Sequence, residues 1–268
     1  MIACSLHNHC SFCDGKSTLK EMVEEASRAK ITDFGISSHA FVPFDLDCSI
    51  KDETTYIDSV RAFIASSTLP INIYLGTEDD AYATIKDRKA YDYIVGGAHY
   101  LKKNGKYYAI DLSADEQIAC IEKEFGGDHL AYARAYYELV LEVASRKPDI
   151  LAHFDLVAKY ENRGVEVESK AYRLLALEAL DECLKLDTVF EINYGAVARG
   201  TSKKVYPAPF LMKRIAEKKG RIILSTDCHD ASKIDFGLRD GEEYARSFGI
   251  GEVVVLRDGK WTTEKIKM

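Results

Sequence analysis

Seven short apolar segments, separated by helical or turn-rich stretches, constrain the fold of this chain more than any other feature. They lie at residues 2–6, 33–37, 71–76, 91–96, 149–152, 188–193 and 221–226. Short apolar segments of this kind are typical of buried parallel strands, and the amphipathic stretches between them are typical of covering helices. Over 268 residues this alternation favours an α/β barrel of seven parallel strands over an open sheet.

The helix signals support the same alternation. Thr18 and Glu21 form a capping-box pattern before apolar residues at helical spacing. The sequence predicts helices at 52–67, 113–146 with a break near 126–127, 168–185, 207–219 and 242–248, and a last strand near 252–256. Because no linker rich in proline, glycine or serine interrupts the chain, we predict one domain over residues 1–268.

Charge and cysteine content exclude several classes of function. A formal charge of −7 argues against wrapping nucleic acid or coating an anionic membrane. The first residues run directly into a histidine motif without a signal-peptide pattern, and no apolar run is long enough to span a membrane. Seven scattered cysteines are typical of reduced thiols, so we expect a cytoplasmic protein without disulfides.

Histidines occur at the ends of the predicted strands. Six of the seven follow this rule, at positions 7, 9, 39, 99, 153 and 229, and only His129 falls elsewhere. Carboxylates occupy equivalent places at Asp14, Glu78, Glu191 and Asp227. A single histidine at a strand end is usually an ordinary surface or core residue. However, the carboxyl ends of parallel barrel strands all lie at one face of the barrel, so six histidines there predict a functional site at that face.

These residue types favour a metal centre. Imidazole and carboxylate together suit Zn²⁺, Fe²⁺ or Mn²⁺. So many donors exceed the needs of one ion, and two or three ions sharing bridging carboxylates would use them all. Cys10, Cys13 and Cys228 adjoin the predicted ligands, but we interpret them as packing residues. No Cys-x5-Arg run is present, which disfavours a cysteine-dependent phosphatase.

The motifs in combination resemble those of a known superfamily. They are His7-Asn8-His9 with Asp14, Ser38-His39, Gly76-Thr77-Glu78, Gly97-Ala98-His99, Ala152-His153-Phe154-Asp155 and Asp227-Cys228-His229. Over about residues 1–250 the chain resembles the polymerase and histidinol phosphatase (PHP) superfamily. Its layout resembles the histidinol-phosphate phosphatase branch, through Ile110-Asp111, the segment 125–137, Glu191-Ile192-Asn193, Arg199 and Tyr206-Pro207.

The resemblance implies a distorted seven-stranded barrel and a cofactor of three divalent ions, whether zinc, iron or manganese. The implied ligand sets are His7, His9, Glu78 and Asp227 for one ion, Glu78, His99 and His153 for a second, and Asp14, His39 and His229 for the third. Glu191 matches no ligand position, and we expect it to bond a neighbouring ligand or the backbone. Arg199 aligns with a phosphate-binding arginine of this branch, and Lys159 stands where a second arginine is common, although a solvated surface lysine is an equal alternative there.

We therefore expect a metal-dependent phosphomonoesterase of histidine biosynthesis that hydrolyses L-histidinol phosphate through a metal-bound hydroxide. Arg199 is expected to stabilise the phosphoryl charge, and Asp227 or a metal-bound water to handle protons. A superfamily phosphatase for phosphotyrosine or another small phosphomonoester is the alternative. A second alternative is a metal-stabilised accessory module without catalytic activity. The acidic charge and the full set of ligands argue against it.

Overall fold

The computed structural model describes residues 2–160, 163 and 165–267. Its strands are β1 (Cys4–Ser5), β2 (Asp33–Ile36), β3 (Asn72–Asp80), β4 (Tyr93–Gly97), β5 (Tyr100–Lys103), β6 (Lys106–Ala109), β7 (Ile150–Leu151), β8 (Val189–Asn193), β9 (Arg221–Ser225), β10 (Glu252–Arg257) and β11 (Lys260–Lys265). Its helices are α1 (Leu19–Arg28), α2 (Glu53–Ser66), α3 (Ala114–Phe125), α4 (His129–Ser145), α5 (Lys170–Leu184), α6 (Gly195–Ala198), α7 (Pro209–Glu217) and α8 (Leu238–Ser247).

Within the described ranges, seven parallel strands form one sheet in the order β1-β2-β3-β4-β7-β8-β9. The two edge strands approach each other just beyond their carboxyl ends, where Asn8 and Cys228 form a parallel bridge. There the His9 amide donates to the Cys228 carbonyl at 2.8 Å. The sheet thus closes at its carboxyl end, and the predicted distorted (β/α)7 barrel is confirmed.

Local sequence explains where the helices begin. Thr18 caps α1, with both hydrogen bonds of the predicted capping box present. The apolar face of α1 is buried against the barrel as its spacing predicted. Gly126 ends α3 in the left-handed conformation, with φ of 61°, which places the break between α3 and α4 where the sequence indicated it.

Two β-hairpins were not predicted. β5 and β6 pair around Asn104-Gly105, and β10 and β11 pair around Asp258-Gly259. All four turn residues have positive φ, and Asn-Gly and Asp-Gly are strong hairpin signals, so the sequence contained the information. The single strand predicted near 252–256 is therefore one strand of a hairpin. The hairpin β5–β6 begins directly after His99.

Some boundaries also differ. β3 continues through Asp80, because residues 76–80 pair with β4, so Glu78 lies inside the strand instead of after it. α8 begins at Leu238, four residues before the predicted start. Among the described residues, no helix is long and apolar enough to cross a membrane. The organisation as one domain over residues 1–268 stays a prediction.

Candidate metal centre

The carboxyl ends of the barrel strands bring the nine predicted ligands together. Around a cavity of about 260 Å³ the structure places Asp14, His39, Glu78, His99, His153, Asp227 and His229. His7 and His9 lie buried beneath it and contact Glu78. His129 instead begins α4, away from this cavity, as expected.

Glu78 lies at the centre of the cluster, and only 1% of its surface is exposed. Its two oxygens face different groups of imidazoles. Three nitrogens surround Oε2: His39 Nδ1 at 3.0 Å, His7 Nε2 at 3.1 Å and His9 Nε2 at 3.3 Å. Two surround Oε1: His153 Nε2 at 3.0 Å and His99 Nε2 at 3.1 Å. This arrangement is the one a carboxylate needs to bridge two ions.

Asp14 and Asp227 complete a second side of the cluster around His229. Asp14 Oδ2 lies 3.3 Å from His229 Nε2, and Asp227 Oδ1 lies 3.5 Å from both His229 Nδ1 and His9 Nε2. His229 Nδ1 lies 3.0 Å from both the Asp227 carbonyl oxygen and a guanidinium nitrogen of Arg199, and its Nε2 faces Asp14.

Two further carboxylates, of Glu191 and Asp80, hold predicted ligands in place through ring or backbone nitrogens. Glu191 Oε1 lies 2.6 Å from His7 Nδ1, and its Oε2 accepts the His153 amide at 3.0 Å, as expected for a residue outside the ligand set. Asp80 Oδ2 accepts the His99 amide at 2.8 Å. Sequence reasoning missed Asp80, although a carboxylate two residues after Glu78 on one strand points to the same side.

The backbone at two ligand positions is unusual. His153 has φ of 23° and Asp227 has φ of 46°, a region that side chains other than glycine rarely adopt. Such strain persists only where surrounding structure enforces it, and it concentrates at functional sites. Gly195 makes room for Asp227, because a Cβ on Gly195 would lie 2.5 Å from Asp227 Oδ2.

The residues fit divalent metal ions. His7 Nε2, His9 Nε2 and Glu78 Oε2 are buried without a hydrogen-bond partner among the described residues, an arrangement that is costly unless something else binds them. Donor atoms in three groups lie within 4.8 Å of one another: His7, His9 and Glu78; His39, Glu78 and His99; and His9, Asp14, His39 and His229. These three groups overlap with the three expected ligand sets. However, His9 and His39 each belong to two of the groups, so the assignment of each ligand to a particular ion stays a prediction.

Electrostatics keep Glu78, Asp227 and His9 in their metal-binding forms. At His7, His39 and His99 burial opposes protonation, but the neighbouring carboxylates raise the pKa of each imidazole above its usual value. Burial alone would raise the pKa of Glu78, but the surrounding histidines, His7 first, hold it well below its usual value. Burial likewise opposes ionisation of Asp227, yet Arg199 and the histidines hold its pKa well below normal. Burial lowers the pKa of His9, and repulsion from neighbouring histidines lowers it further. Ionised carboxylates and a neutral His9 are the forms that bind metal.

Arg199 and Lys159 lie at the rim of the cavity, with different partners. Arg199 donates to the Asp227 carbonyl at 2.9 Å and to Asp227 Oδ2 at 3.1 Å. Lys159 donates to the carbonyl and to Oδ2 of Asp111, both at 2.9 Å. With 8% of its surface exposed, Lys159 is not a solvated surface lysine, so that alternative is wrong.

Asp111 is a rim residue that sequence reasoning did not assign to the site. Its side chain is 29% exposed and lines the cavity. Burial opposes its ionisation, but Lys159 and His99 lower its pKa to about 2, so Asp111 is negatively charged. The signal available in the sequence was only its position in the resemblance to the histidinol-phosphate branch.

The cysteines beside the ligands take no part in the three donor groups found among the described residues. Cys228 Sγ donates to the Asp230 carbonyl at 2.9 Å, away from the ligands on either side of it in sequence. Burial raises the pKa of Cys228 to about 12 and also raises that of Cys10. Both thiols therefore stay protonated, as expected of packing residues.

Comparison with known proteins agrees with this site. The sequence matches the PHP domain family over residues 5–195, and the chain belongs to that family. It is 25% identical over 271 residues to a probable histidinol-phosphatase from Deinococcus radiodurans, covering 96% of this chain and 97% of that protein. The superfamily resemblance inferred from the motifs is thereby confirmed.

Solved structures show the same fold. HisK from Listeria monocytogenes superposes with a TM-score of 0.73 at 18% identity, covering 88% of this chain and 98% of that one. Histidinol phosphate phosphatase from Lactococcus lactis, in complex with zinc, L-histidinol and phosphate, gives a TM-score of 0.70 at 17% identity, covering 96% and 98%.

Proposed function

We propose that this chain is a metal-dependent phosphomonoesterase that hydrolyses L-histidinol phosphate to L-histidinol and phosphate. The observation that carries the proposal is the central Glu78, whose two oxygens face separate groups of imidazoles at 3.0–3.3 Å. Divalent ions in such a site supply Lewis-acid stabilisation of phosphoryl oxygens and activation of water as the nucleophile. The proposed ligands are the three sets expected from the sequence, with Glu78 shared between two of them.

The residues around the ligands have separate tasks in this proposal. The Arg199 guanidinium at the rim binds phosphoryl oxygens, where charge develops during displacement. Its hydrogen bonds to Asp227 fix that carboxylate beside the histidines, where either Asp227 or a water on the metal would handle protons. The buried face of the site excludes bulk water, since Glu78, His7 and His9 are each at most 1% exposed.

Substrate choice is proposed to depend on the rim. L-Histidinol phosphate carries an ammonium group, and the ionised Asp111 supplies a matching negative charge at the cavity mouth. Lys159 holds Asp111 in place through their hydrogen bond. We propose that its positive charge contributes less to phosphate binding than that of Arg199. The names of the Deinococcus and Lactococcus relatives support this choice of substrate.

The first test joins metal content to turnover. Glu78→Gln is expected to lower both bound metal, measured by elemental analysis, and kcat/KM for histidinol phosphate, the latter by at least about 100-fold, because a neutral amide bridges ions poorly. Glu138→Gln, on the exposed face of α4, is the matched control and is expected to behave as wild type. Full activity in the Glu78 variant, or none in wild type with zinc, iron or manganese, would contradict the proposal.

A second test addresses the substrate. Wild type is expected to prefer histidinol phosphate over phosphotyrosine and phenyl phosphate in kcat/KM. Asp111→Asn is expected to raise KM for histidinol phosphate about tenfold while leaving KM for phenyl phosphate, which has no ammonium group, unchanged. If kcat/KM is higher for phosphotyrosine, the protein is still a phosphomonoesterase, but histidinol phosphate is not its preferred substrate.

A further inference from the structure

The segment that follows β2, residues 41–50, packs against the hairpin β5–β6 beside the metal centre. Phe44 is its anchor, because the ring contacts three tyrosine rings whose centres lie 3.6–6.4 Å from its own, those of Tyr82, Tyr100 and Tyr107. Two of these tyrosines, Tyr100 and Tyr107, belong to the hairpin. Aromatic packing of this kind holds the segment in one position relative to the cavity.

Asp45, the residue after Phe44, lines the metal-centre cavity and is half-buried. Its Oδ2 accepts the Tyr100 hydroxyl at 2.8 Å, and its Oδ1 accepts the Cys48 amide at 3.2 Å. The carboxylate is therefore tied both to its own segment and to the hairpin. Because a carboxylate has about four acceptor positions, these two bonds leave capacity for a further donor.

The charge of Asp45 is not balanced as that of Asp111 is. Asp111 lines the same cavity and pairs with Lys159 at 2.9 Å. Within the described ranges Asp45 forms no ion pair with a lysine or an arginine. It belongs to none of the proposed ligand sets, and the phosphatase chemistry proposed above gives it no task.

An apolar surface accompanies this carboxylate. Leu112 lines the cavity with 71% of its surface exposed, and the Tyr100 ring lines it as well. A flat ring that enters the cavity can lie on such a surface while a ring N–H reaches an acceptor. An aliphatic group could cover the same surface, but it would displace water from the carboxylate without replacing the hydrogen bond.

From this arrangement we propose that Asp45 is a specificity-determining residue that accepts a hydrogen bond from a ring N–H of the substrate. The site then selects phosphomonoesters that carry a nitrogen heterocycle. This inference rests on the proposed function, since L-histidinol phosphate has two groups that donate hydrogen bonds. Asp111 receives its ammonium group, and Asp45 receives its imidazole ring.

A purely structural role for Asp45 predicts a different result. If the carboxylate only held residues 41–50 in place, its loss would affect every substrate alike. L-Phenylalaninol phosphate separates the two roles, because it has the phosphate, the ammonium group and a flat ring but no ring N–H. A site built to bond a ring N–H discriminates against this analogue, while a merely structural carboxylate does not.

Steady-state kinetics of the metal-loaded protein on the two esters test the proposal. Wild type is expected to favour histidinol phosphate over phenylalaninol phosphate by at least about tenfold in kcat/KM. Asp45→Asn is expected to raise KM for histidinol phosphate by about tenfold and to leave KM for phenylalaninol phosphate within about twofold, with kcat little changed for either. Asp47→Asn is the matched control, since Asp47 is exposed in the same segment and does not line the cavity. It is expected to behave as wild type.

The opposite results would overturn the proposal. These are equal changes in KM for the two esters, no change for either, or an equal loss of preference in Asp47→Asn. Should Asp45→Asn fail to fold by circular dichroism, Asp45→Ser serves with the same expectations, because a serine hydroxyl can still accept the Cys48 amide. Wild type without turnover of histidinol phosphate would reject the proposed function as well, whereas turnover with an unaltered preference in the Asp45 variants rejects this inference alone.

Discussion

At the scale of single residues, the metal centre depends on groups behind the ligands as much as on the ligands. Glu191 is fully buried and contacts both His7 Nδ1 and the His153 amide, so it couples ligands from two different strands. A hydrogen bond at Nδ1 leaves Nε2 of His7 free to face Glu78. Glu191 thus sets the tautomer of one ligand and the backbone position of another.

Replacing this carboxylate should weaken the site without removing a ligand. Glu191→Gln keeps an acceptor for only one of these two hydrogen bonds and loses the negative charge, so we expect metal affinity to fall by about 10- to 100-fold. Competition with a chelating dye measures that affinity for zinc. The surface substitution Glu138→Gln should leave it unchanged, and an equal affinity in both variants would reject this role for Glu191.

At the scale of elements, local signals place the helices that cover the barrel. Thr18 and Glu21 satisfy each other's backbone amides at the start of α1, and both are solvent-accessible. The cap therefore acts without support from tertiary contacts. α1 then buries Met22 and Val23 completely against the sheet.

Loss of this cap should have a measurable cost. Thr18→Ala removes the side-chain acceptor and is expected to lower the free energy of unfolding of the protein by about 1 kcal/mol. Thr54→Ala, at an exposed position of α2, should change it by less than about 0.5 kcal/mol. Urea unfolding followed by circular dichroism gives both values, and equal stability of the two variants would contradict a capping role.

The hairpin β10–β11 is joined to the barrel through Asp33 at the start of β2. Asp33 accepts hydrogen bonds from Asn72 and Tyr74 at 3.0 and 2.8 Å, and it pairs with Arg257 of β10. Burial opposes its ionisation, but these donors outweigh burial and lower its pKa below 3.8. The folded state therefore favours the ionised form of Asp33 more than the unfolded chain does.

The sign of the pH effect follows from this pKa. A lowered pKa in the folded state contributes stability above the unfolded value of 3.8, and that contribution is lost as the pH falls through the folded value. We expect wild type to exceed Asp33→Asn in free energy of unfolding near pH 7, and the difference to shrink below about pH 4. Urea unfolding across this range tests it, and a difference that grows on acidification would be inconsistent.

At the scale of the whole molecule, Tyr93 occupies the interior of the barrel. It is 1% exposed, and its hydroxyl donates to the Leu6 carbonyl across the sheet. Gly35 and Gly76 provide the space, because a Cβ on Gly35 would lie 2.1 Å from the Tyr93 hydroxyl oxygen and a Cβ on Gly76 would lie 2.3 Å from the Tyr93 ring. The absence of two side chains thus permits a large one to fill the centre.

Adding one methyl group there should overpack the barrel. Gly76→Ala is expected to destabilise the protein by about 1–3 kcal/mol or more, because the rigid ring has to shift. Gly251→Ala is the matched control, since a Cβ there meets no heavy atom within 4 Å. Thermal unfolding of both variants measures the difference, and similar melting temperatures would refute the packing argument.

Much of the fold and of the site could be predicted from the sequence. Strand and helix periodicity is a local property, and short apolar segments followed by histidines mark the carboxyl ends of parallel strands. The positions of His7, His39, His99 and His229 at one barrel face followed from this rule alone. The two hairpins were missed although Asn104-Gly105 and Asp258-Gly259 signalled them, so that omission was not a limit of the sequence.

The tertiary structure decided the contacts between residues far apart in the chain. Local pattern carries no information about distances across a barrel, so the central position of Glu78, the support from Glu191 and Asp80, and the pairing of Lys159 with Asp111 appeared only when the strands closed. The sequence determined which side chains stand at the strand ends, and closure of the barrel decided which of them meet.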